Sequence, residues 1–215
     1  MIRLAVFDLD GTLVDSRRDL ANAANALVAG LGGRPLSEEA IGRMVGEGAA
    51  VLVRRVLTAA NLDPDAPAAL PRFLELYDER LTEHTVPYGG IVEALDALAA
   101  RMPLAVLTNK PQRATDRLLG SLELAPYFGR VVGGDSMLGR KPEPAGLLSL
   151  CTGAGVLPDE AILIGDSPVD LETARRAGTQ VLLVSYGFGF RFDPAALETL
   201  AVADAPSEIP KHIAS

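Results

Sequence analysis

The feature that most constrains the fold is a series of short apolar runs, each followed at once by polar residues. The first run is Leu4 to Val6, and the later ones lie at 104–107, about 130–133, 161–164 and 181–184. From residue 87 onward, the stretches between these runs carry apolar residues at helical spacing. Short apolar strands that alternate with helices are typical of a parallel sheet covered by helices on both faces. The chain is therefore predicted to be an α/β protein.

The section between the first and second strands has only helical patterns. Helices are expected from about residue 16 to 30, from Ser37, over about 50–57 and from about Ala68 to His84. We interpret residues 16–84 as a small α-helical domain, inserted after the first strand of a Rossmann-like core formed by residues 1–15 and 85–215. Ligands of open parallel sheets bind outside the carboxyl ends of the strands, where such an insert can act as a lid.

Composition narrows the classes of partner. The net charge of −8 and a pI near 4.8 exclude a broad surface for nucleic acid or anionic membranes. The single cysteine, Cys151, suits a reducing compartment, and no apolar run approaches the ~20 residues of a membrane span. We expect a cytoplasmic monomer or homodimer without nucleic-acid or membrane partners. The tail from Pro206 is expected to be a surface strand-like segment or a frayed end.

Side chains capable of chemistry follow the predicted strands or lie in the loop after one of them. Because the carboxyl ends of parallel strands meet at one edge of a sheet, we expect these side chains to lie together. Carboxylates are the hard ligands that Mg²⁺ prefers, lysine supplies a compact positive charge, and threonine and asparagine supply neutral donors for phosphoryl oxygens. The set consists of Asp8 and Asp10, Thr108 and Asn109, Lys141, and Asp166 and Asp170.

Four ordered segments carry a family resemblance over the whole chain. FDLDGTLVDS, VLTNK, RKP and GDSPVD resemble the four signature motifs of the haloacid dehalogenase superfamily of phosphatases, and the helical insert is similar to the small cap of that superfamily. Within it, the segments 44–48, 87–91 and 104–111 are similar to phosphoglycolate phosphatases. The resemblance implies hydrolysis of a small phosphorylated metabolite, with 2-phosphoglycolate, which would yield glycolate and phosphate, as the expected substrate.

The resemblance also implies a two-step mechanism that uses Mg²⁺ as cofactor. Asp8 would attack phosphorus to form an aspartyl-phosphate, and Asp10 would protonate the leaving oxygen and then activate water. Mg²⁺ would be held by Asp8, the backbone carbonyl of Asp10 and Asp166. The remaining roles are phosphoryl binding by Lys141 and Thr108 with Asn109 close behind, orientation of Lys141 or a metal-bound water by Asp170, and support by Gly11 and Thr12.

Two other functions stay open at this point. A phosphosugar mutase, or a phosphatase for another small ester, would use the same fold and motifs. A phosphate-sensing module without catalytic activity would also gather acids, a threonine and a lysine, but it has no need for a second acid such as Asp10. In the fourth motif, Val169 stands where family members often have asparagine, so a supporting hydrogen bond is expected to be missing.

Overall fold

The protein is described here by a computed structural model of residues 1–192 and 197–213. The strands are β1 Leu4–Phe7, β2 Val14–Asp15, β3 Val86–Pro87, β4 Leu104–Leu107, β5 Phe128–Val132, β6 Ala161–Gly165, β7 Gln180–Val184 and β8 Ala201–Ala203. The helices are α1 Arg17–Gly30, α2 Glu38–Gly42, α3 Ala49–Ala59, α4 Ala69–Arg80, α5 Ile91–Ala99, α6 Gln112–Ser121, α7 Ala145–Ala154, α8 Pro168–Ala177 and α9 Ile209–Ile213.

The main sheet has the strand order β5-β4-β1-β6-β7-β8, and its neighbouring strands are parallel. Alternate residues of β1 pack on opposite faces. Leu4 and Val6 belong to an apolar cluster with residues of α7 and α8, whereas Ala5 and Phe7 belong to a larger cluster with residues of α5, α6 and α9. A strand that is buried on both faces is apolar throughout rather than alternating. The predicted Rossmann-like α/β sheet with helices on both faces is confirmed.

Helices α1 to α4 lie between the first two strands of the main sheet in chain order, as the helical spacing predicts. α1 packs on α2, α3 and α4. The chain leaves the sheet and returns to it at one place, because β2 and β3 pair antiparallel, with Val14 opposite Pro87 and Asp15 opposite Val86. Among the described residues, 1–192 and 197–213, no helix has both the length and the apolar character needed to cross a membrane.

The carboxyl-terminal part differs from the prediction. The sequence pattern indicates five strands, whereas β8 adds a sixth beside β7. The expectation of a surface strand or frayed end from Pro206 is wrong, because Ile209 and Ile213 are buried in α9, which packs on α5. One helical turn separates these two isoleucines, and a single apolar pair is too short a pattern to identify a helix. The predicted core, residues 1–15 and 85–215, also includes residues 193–196 and 214–215, which lie outside the described part.

The two connections between the sheet and the helical segment are joined by a buried carboxylate, Asp19 of α1. Its Oδ2 accepts hydrogen bonds from the backbone N–H groups of His84 and Thr85, at 3.0 and 2.8 Å, and from Thr85 Oγ1 at 2.7 Å. Its Oδ1 lies 2.9 Å from His84 Nδ1. Although burial opposes ionisation, these hydrogen bonds hold the pKa of the Asp19 carboxyl below its usual range.

We expect Asp19→Asn to lower the free energy of unfolding by about 1–3 kcal/mol, because a neutral amide oxygen accepts these hydrogen bonds more weakly than a carboxylate does. Since the pKa of Asp19 is lowered by folding, its contribution is present above about pH 4 and is lost as the pH falls further. Thermal unfolding at pH 7 measures the effect, with the neighbouring exposed Glu83→Gln as control. Equal melting temperatures for the two variants would contradict this role of Asp19.

Candidate active site

The structure brings the polar residues after β1, β4 and β6, and the loop before α7, to one edge of the sheet. Asp8 follows β1, and its backbone N–H donates to the carbonyl of Ile164 in β6, at 2.9 Å. Thr108 follows β4, and its N–H donates to the carbonyl of Val132 in β5, at 3.0 Å. These bonds continue the strand ladders by one residue. The side chains beyond them are therefore held by the sheet itself.

Lys141 lies between two of the predicted acids. Its Nζ is 2.8 Å from Asp8 Oδ1 and 2.6 Å from Asp170 Oδ1. The other oxygen of Asp170 accepts from the N–H and Oγ of Ser167, at 3.1 and 2.6 Å. Burial opposes the charge on Lys141, but Asp170 and Asp8 outweigh this and raise its pKa above the usual range. Asp170 is thus placed to hold the Lys141 ammonium group against Asp8.

A third acid, Asp166, completes a group that could hold a metal ion. Ligand atoms of Asp8, Asp166 and Asp170 lie within 4.8 Å of one another, and all three residues are buried. Burial raises the pKa of Asp8 to about 6, with Lys141 opposing the rise and Asp170 adding to it. Burial, together with the charges of Asp8 and Asp170, raises the pKa of Asp166 well above its usual range. Within the described residues, the ion pairs of this group involve one cation, Lys141, so a divalent cation would balance the excess of negative charge.

Gly11 allows the close approach of the first motif to Asp166. Its φ is 91°, in the region that favours glycine. A Cβ at this position would lie 2.1 Å from Asp166 Oδ2. Glycine is required at this turn for two reasons, backbone conformation and lack of space. Beside it, Thr12 is fully buried, and its carbonyl accepts a hydrogen bond from the Tyr186 hydroxyl at 3.0 Å.

The loop after β7 covers Asp166 from the other side. The N–H of Gly189 donates to Asp166 Oδ2, at 2.7 Å. A Cβ at Gly187 would lie 2.3 Å from both Asp166 Cβ and the Gly11 carbonyl oxygen. This loop is not part of the predicted site, because its glycines have no side chain that could bind or react.

We expect Gly187→Ala to lower the free energy of unfolding by about 1–3 kcal/mol, because the added methyl group forces apart two tightly packed segments. The matched control is Gly89→Ala, where an added Cβ meets no atom within 4 Å among the described residues. Chemical denaturation of the two variants measures the difference. A Gly187→Ala protein as stable as wild type would show that the loop can withdraw from Asp166 at little cost.

Asp10 is held apart from this acidic group by different partners. Ser16 Oγ donates to Asp10 Oδ1 at 2.6 Å, and Lys110 Nζ lies 3.0 and 3.1 Å from the two carboxylate oxygens. Lys110 also donates to the Tyr77 hydroxyl of α4. Lys110 and Tyr77 are not among the residues predicted for the site. Lys110 directly follows the Thr108-Asn109 pair and so carried a usable signal, whereas Tyr77 has the helical spacing of an ordinary core residue.

The side chain of Asn109 joins the core to the helical segment. Its Nδ2 donates to the carbonyls of Gly46 and Lys141, both at 3.0 Å. Both N–H bonds of this amide are therefore used within the protein. Thr108 is buried, and its Oγ1 accepts from the N–H of Lys110 at 3.2 Å, which leaves the hydroxyl proton for another acceptor.

A cavity of about 410 Å³ lies between the sheet edge and the helical segment. Its floor includes Asp8, Asp10 and residues 108–110, and its walls include apolar side chains such as Leu52 and Phe73. A cavity of this size and lining suits a small molecule held by a few polar groups at one end.

Comparison with known proteins identifies the family. Residues 5–184 match the family described as haloacid dehalogenase-like hydrolase. The chain belongs to this family. This hydrolase is 43% identical to a phosphoglycolate phosphatase of Rhodospirillum rubrum over 212 residues, which cover 95% of this chain and 88% of that protein. It is 41% identical to a phosphoglycolate phosphatase of Chromobacterium violaceum, over 87% of this chain and 86% of the relative.

A solved structure has the same fold over nearly the full length of this haloacid dehalogenase-like hydrolase. It is a protein of Haemophilus somnus, described as a predicted phosphoglycolate phosphatase, with a TM-score of 0.90 and 30% identity. The match covers 99% of this chain and 98% of that one. The resemblance in the four sequence motifs is therefore confirmed at the level of the family and the fold.

Proposed function

We propose that this hydrolase is a phosphatase that converts 2-phosphoglycolate to glycolate and phosphate through an aspartyl-phosphate on Asp8. The observation that carries the proposal is the separation of the two first-motif acids into different environments. Asp8 lies in the buried group with Lys141, whereas Asp10 is held by Ser16 and Lys110. Two carboxylates with different partners can take different roles in one reaction. The names of the relatives support phosphoglycolate as the substrate.

In the first step, an Asp8 oxygen forms a bond to phosphorus while the bond from phosphorus to the ester oxygen breaks. Asp10 gives its proton to that oxygen, and glycolate leaves. In the second step, Asp10 takes a proton from water as the water oxygen bonds to phosphorus. The bond between Asp8 and phosphorus then breaks, which releases phosphate and restores both carboxyl groups.

The charges and donors around Asp8 suit the transferred phosphoryl group. Lys141, which Asp170 holds in place, offers positive charge to the phosphoryl oxygens, and the Thr108 hydroxyl offers a proton. Asn109 supports them from behind, because its amide fixes the loop that carries Lys141. These contacts hold phosphorus in line between Asp8 and the leaving oxygen.

The acidic group suits Mg²⁺ as the cofactor. Asp8, Asp166 and the backbone carbonyl of Asp10 would hold it, and all are hard oxygen ligands. The raised pKa values of Asp8 and Asp166 indicate that these buried carboxylates lack sufficient positive charge from the protein alone. When bound, Mg²⁺ supplies charge that reduces the repulsion between the Asp8 carboxylate and the phosphate ester.

The helical segment, residues 16–84, acts in this proposal as a cap over the reaction site. It contributes the apolar walls of the cavity, and it is fastened to the core by the contacts of Asn109 with Gly46 and of Lys110 with Tyr77. An apolar cover excludes bulk water while the phosphoryl group moves to Asp8.

The proposal is tested by phosphate release from a panel of small phosphate esters with Mg²⁺, and again with EDTA. We expect the highest kcat/KM for 2-phosphoglycolate, and loss of turnover with EDTA that is restored by added Mg²⁺. Isomerised phosphosugar without free phosphate would instead favour the mutase. Binding of phosphate without turnover of any ester would favour the sensing module.

A further inference from the structure

The hydroxyl of Tyr77 is a polar group of the cavity that the two steps above do not use. This residue lines the cavity from α4 and is 4% exposed. Its ring stacks on Phe73, with centroids 5.9 Å apart and an interplanar angle of 9°, so its position is fixed. Lys110 Nζ donates to its oxygen and lies 4.4 Å from the ring centroid.

Tyr77 keeps a proton that it can donate. Among the hydrogen bonds of the described residues, its hydroxyl takes part in one, as the acceptor from Lys110. Burial raises the pKa of Tyr77 to about 12, so the hydroxyl remains protonated at neutral pH. A donated hydrogen bond from an ammonium group also polarises a hydroxyl and makes it a stronger donor.

Lys110 places a positive charge directly behind this hydroxyl. Its side chain is 3% exposed. Its Nζ lies 3.0 and 3.1 Å from the two carboxylate oxygens of Asp10, an ion pair that favours the charged form of Lys110. One ammonium group thus connects Asp10, which would serve the leaving oxygen, to the Tyr77 hydroxyl on the cavity wall.

We propose that Tyr77, backed by the charge of Lys110, binds the carboxylate of the leaving group and so selects carboxylate-bearing phosphate esters. This inference rests on the proposed function. In 2-phosphoglycolate, a single methylene group separates the ester oxygen from the carboxylate. Asp10, which would meet the ester oxygen, and Tyr77, which would meet the carboxylate, are likewise separated by one group, the ammonium of Lys110. A buried donor next to a positive charge favours an anion over a neutral group of the same size.

A competing site for such a carboxylate is Arg113, another cation on the cavity lining. Its side chain is 83% exposed, and its guanidinium lies 3.8 Å from the carboxylate of Asp78. A cation in contact with water discriminates between ligands less than a buried one. The geometry therefore favours Tyr77 and Lys110.

The test compares 2-phosphoglycolate with ethyl phosphate, which has a methyl group in place of the carboxylate. Steady-state kcat and KM are measured with Mg²⁺ for wild type, Tyr77→Phe, Arg113→Gln and Tyr127→Phe. The last variant removes a hydroxyl that bonds Asp96 outside the cavity and is the matched control. We expect Tyr77→Phe to lower kcat/KM for 2-phosphoglycolate about ten- to a hundredfold, as for loss of a hydrogen bond to a charged group. For ethyl phosphate the loss should be much smaller, so that the preference of the enzyme for 2-phosphoglycolate over ethyl phosphate falls.

The outcomes separate this inference from the proposed function. If wild type prefers 2-phosphoglycolate but Tyr77→Phe loses equally on both esters, or on neither, the carboxylate does not bind Tyr77 and only this inference is overturned. A selective loss in Arg113→Gln alone would also overturn it. If the kcat/KM of wild type for ethyl phosphate equals its kcat/KM for 2-phosphoglycolate, the proposed function fails and this inference fails with it.

Discussion

Replacement of Asp8 by asparagine is expected to reduce phosphate release from 2-phosphoglycolate by about 10⁴-fold or more, as for loss of the nucleophile in other covalent enzymes. The amide has nearly the shape of the carboxylate, but its neutral oxygen is a poor nucleophile towards phosphorus. The measurement is single-turnover phosphate release at saturating Mg²⁺. A rate within tenfold of wild type would rule out Asp8 as the nucleophile.

The same variant should remain folded. The pKa of Asp8 is raised by folding to about 6, so its ionised form is unfavourable in the metal-free protein at pH 7. Because the pKa of Asp8 is higher in the folded than in the unfolded protein, protonation of Asp8 favours the folded state. This contribution to the free energy of unfolding is lost as the pH rises from about 4 through 6. With EDTA present, we expect wild type to lose stability relative to Asp8→Asn over this range. A fall in the variant's melting temperature at pH 7 would show that lost activity reflects a damaged fold.

Replacement of Asp10 by asparagine is expected to lower kcat by about 10²–10⁴-fold, the usual contribution of general acid–base catalysis. Asp8, Lys141 and the metal-binding group would remain, since Asp10 takes no part in their side-chain contacts. Steady-state kinetics measure the loss, with the exposed Asp116→Asn on α6 as control. The loss in kcat/KM, which reports the step that expels the leaving group, should shrink for esters with good leaving groups such as p-nitrophenolate, which need little protonation. An equal loss in kcat/KM for all leaving groups would show that Asp10 does not protonate the leaving oxygen.

The sequence predicts the sheet and the residues that meet at its edge, for a physical reason. Strands buried on both faces are apolar throughout, and the residues that follow them, such as Asp8, Thr108 and Asp166, meet at one edge because parallel strands end there. Position along the chain therefore determines position in space for these residues. Lys141 belongs with them because its motif lies in the loop between two such strands.

The features that the sequence does not predict depend on contacts between segments that are distant in the chain. Tyr77 lies on an apolar helix face, and only the fold brings its hydroxyl to Lys110, which follows β4. In the sequence, Asp19 is an ordinary acid in the first turn of a helix. Only the fold places the N–H groups of His84 and Thr85 beside it. β8 and α9 are too short to show a strand or helix period in the sequence. They are recognised only in the fold, where β8 pairs with β7 and α9 packs on α5. Pattern reasoning misses such features because their hydrogen-bond partners are not encoded locally.

The central claim is that the phosphoryl group is transferred to Asp8 and forms a covalent aspartyl-phosphate. The most direct measurement is acid quenching of the wild-type protein during turnover of ³²P-labelled 2-phosphoglycolate, followed by peptide mapping. We predict label on the peptide that contains Asp8, release of that label by hydroxylamine as expected for an acyl phosphate, and its disappearance in a chase with unlabelled substrate. Label on a different residue, or steady phosphate release with no labelled peptide at any quench time, would contradict the account.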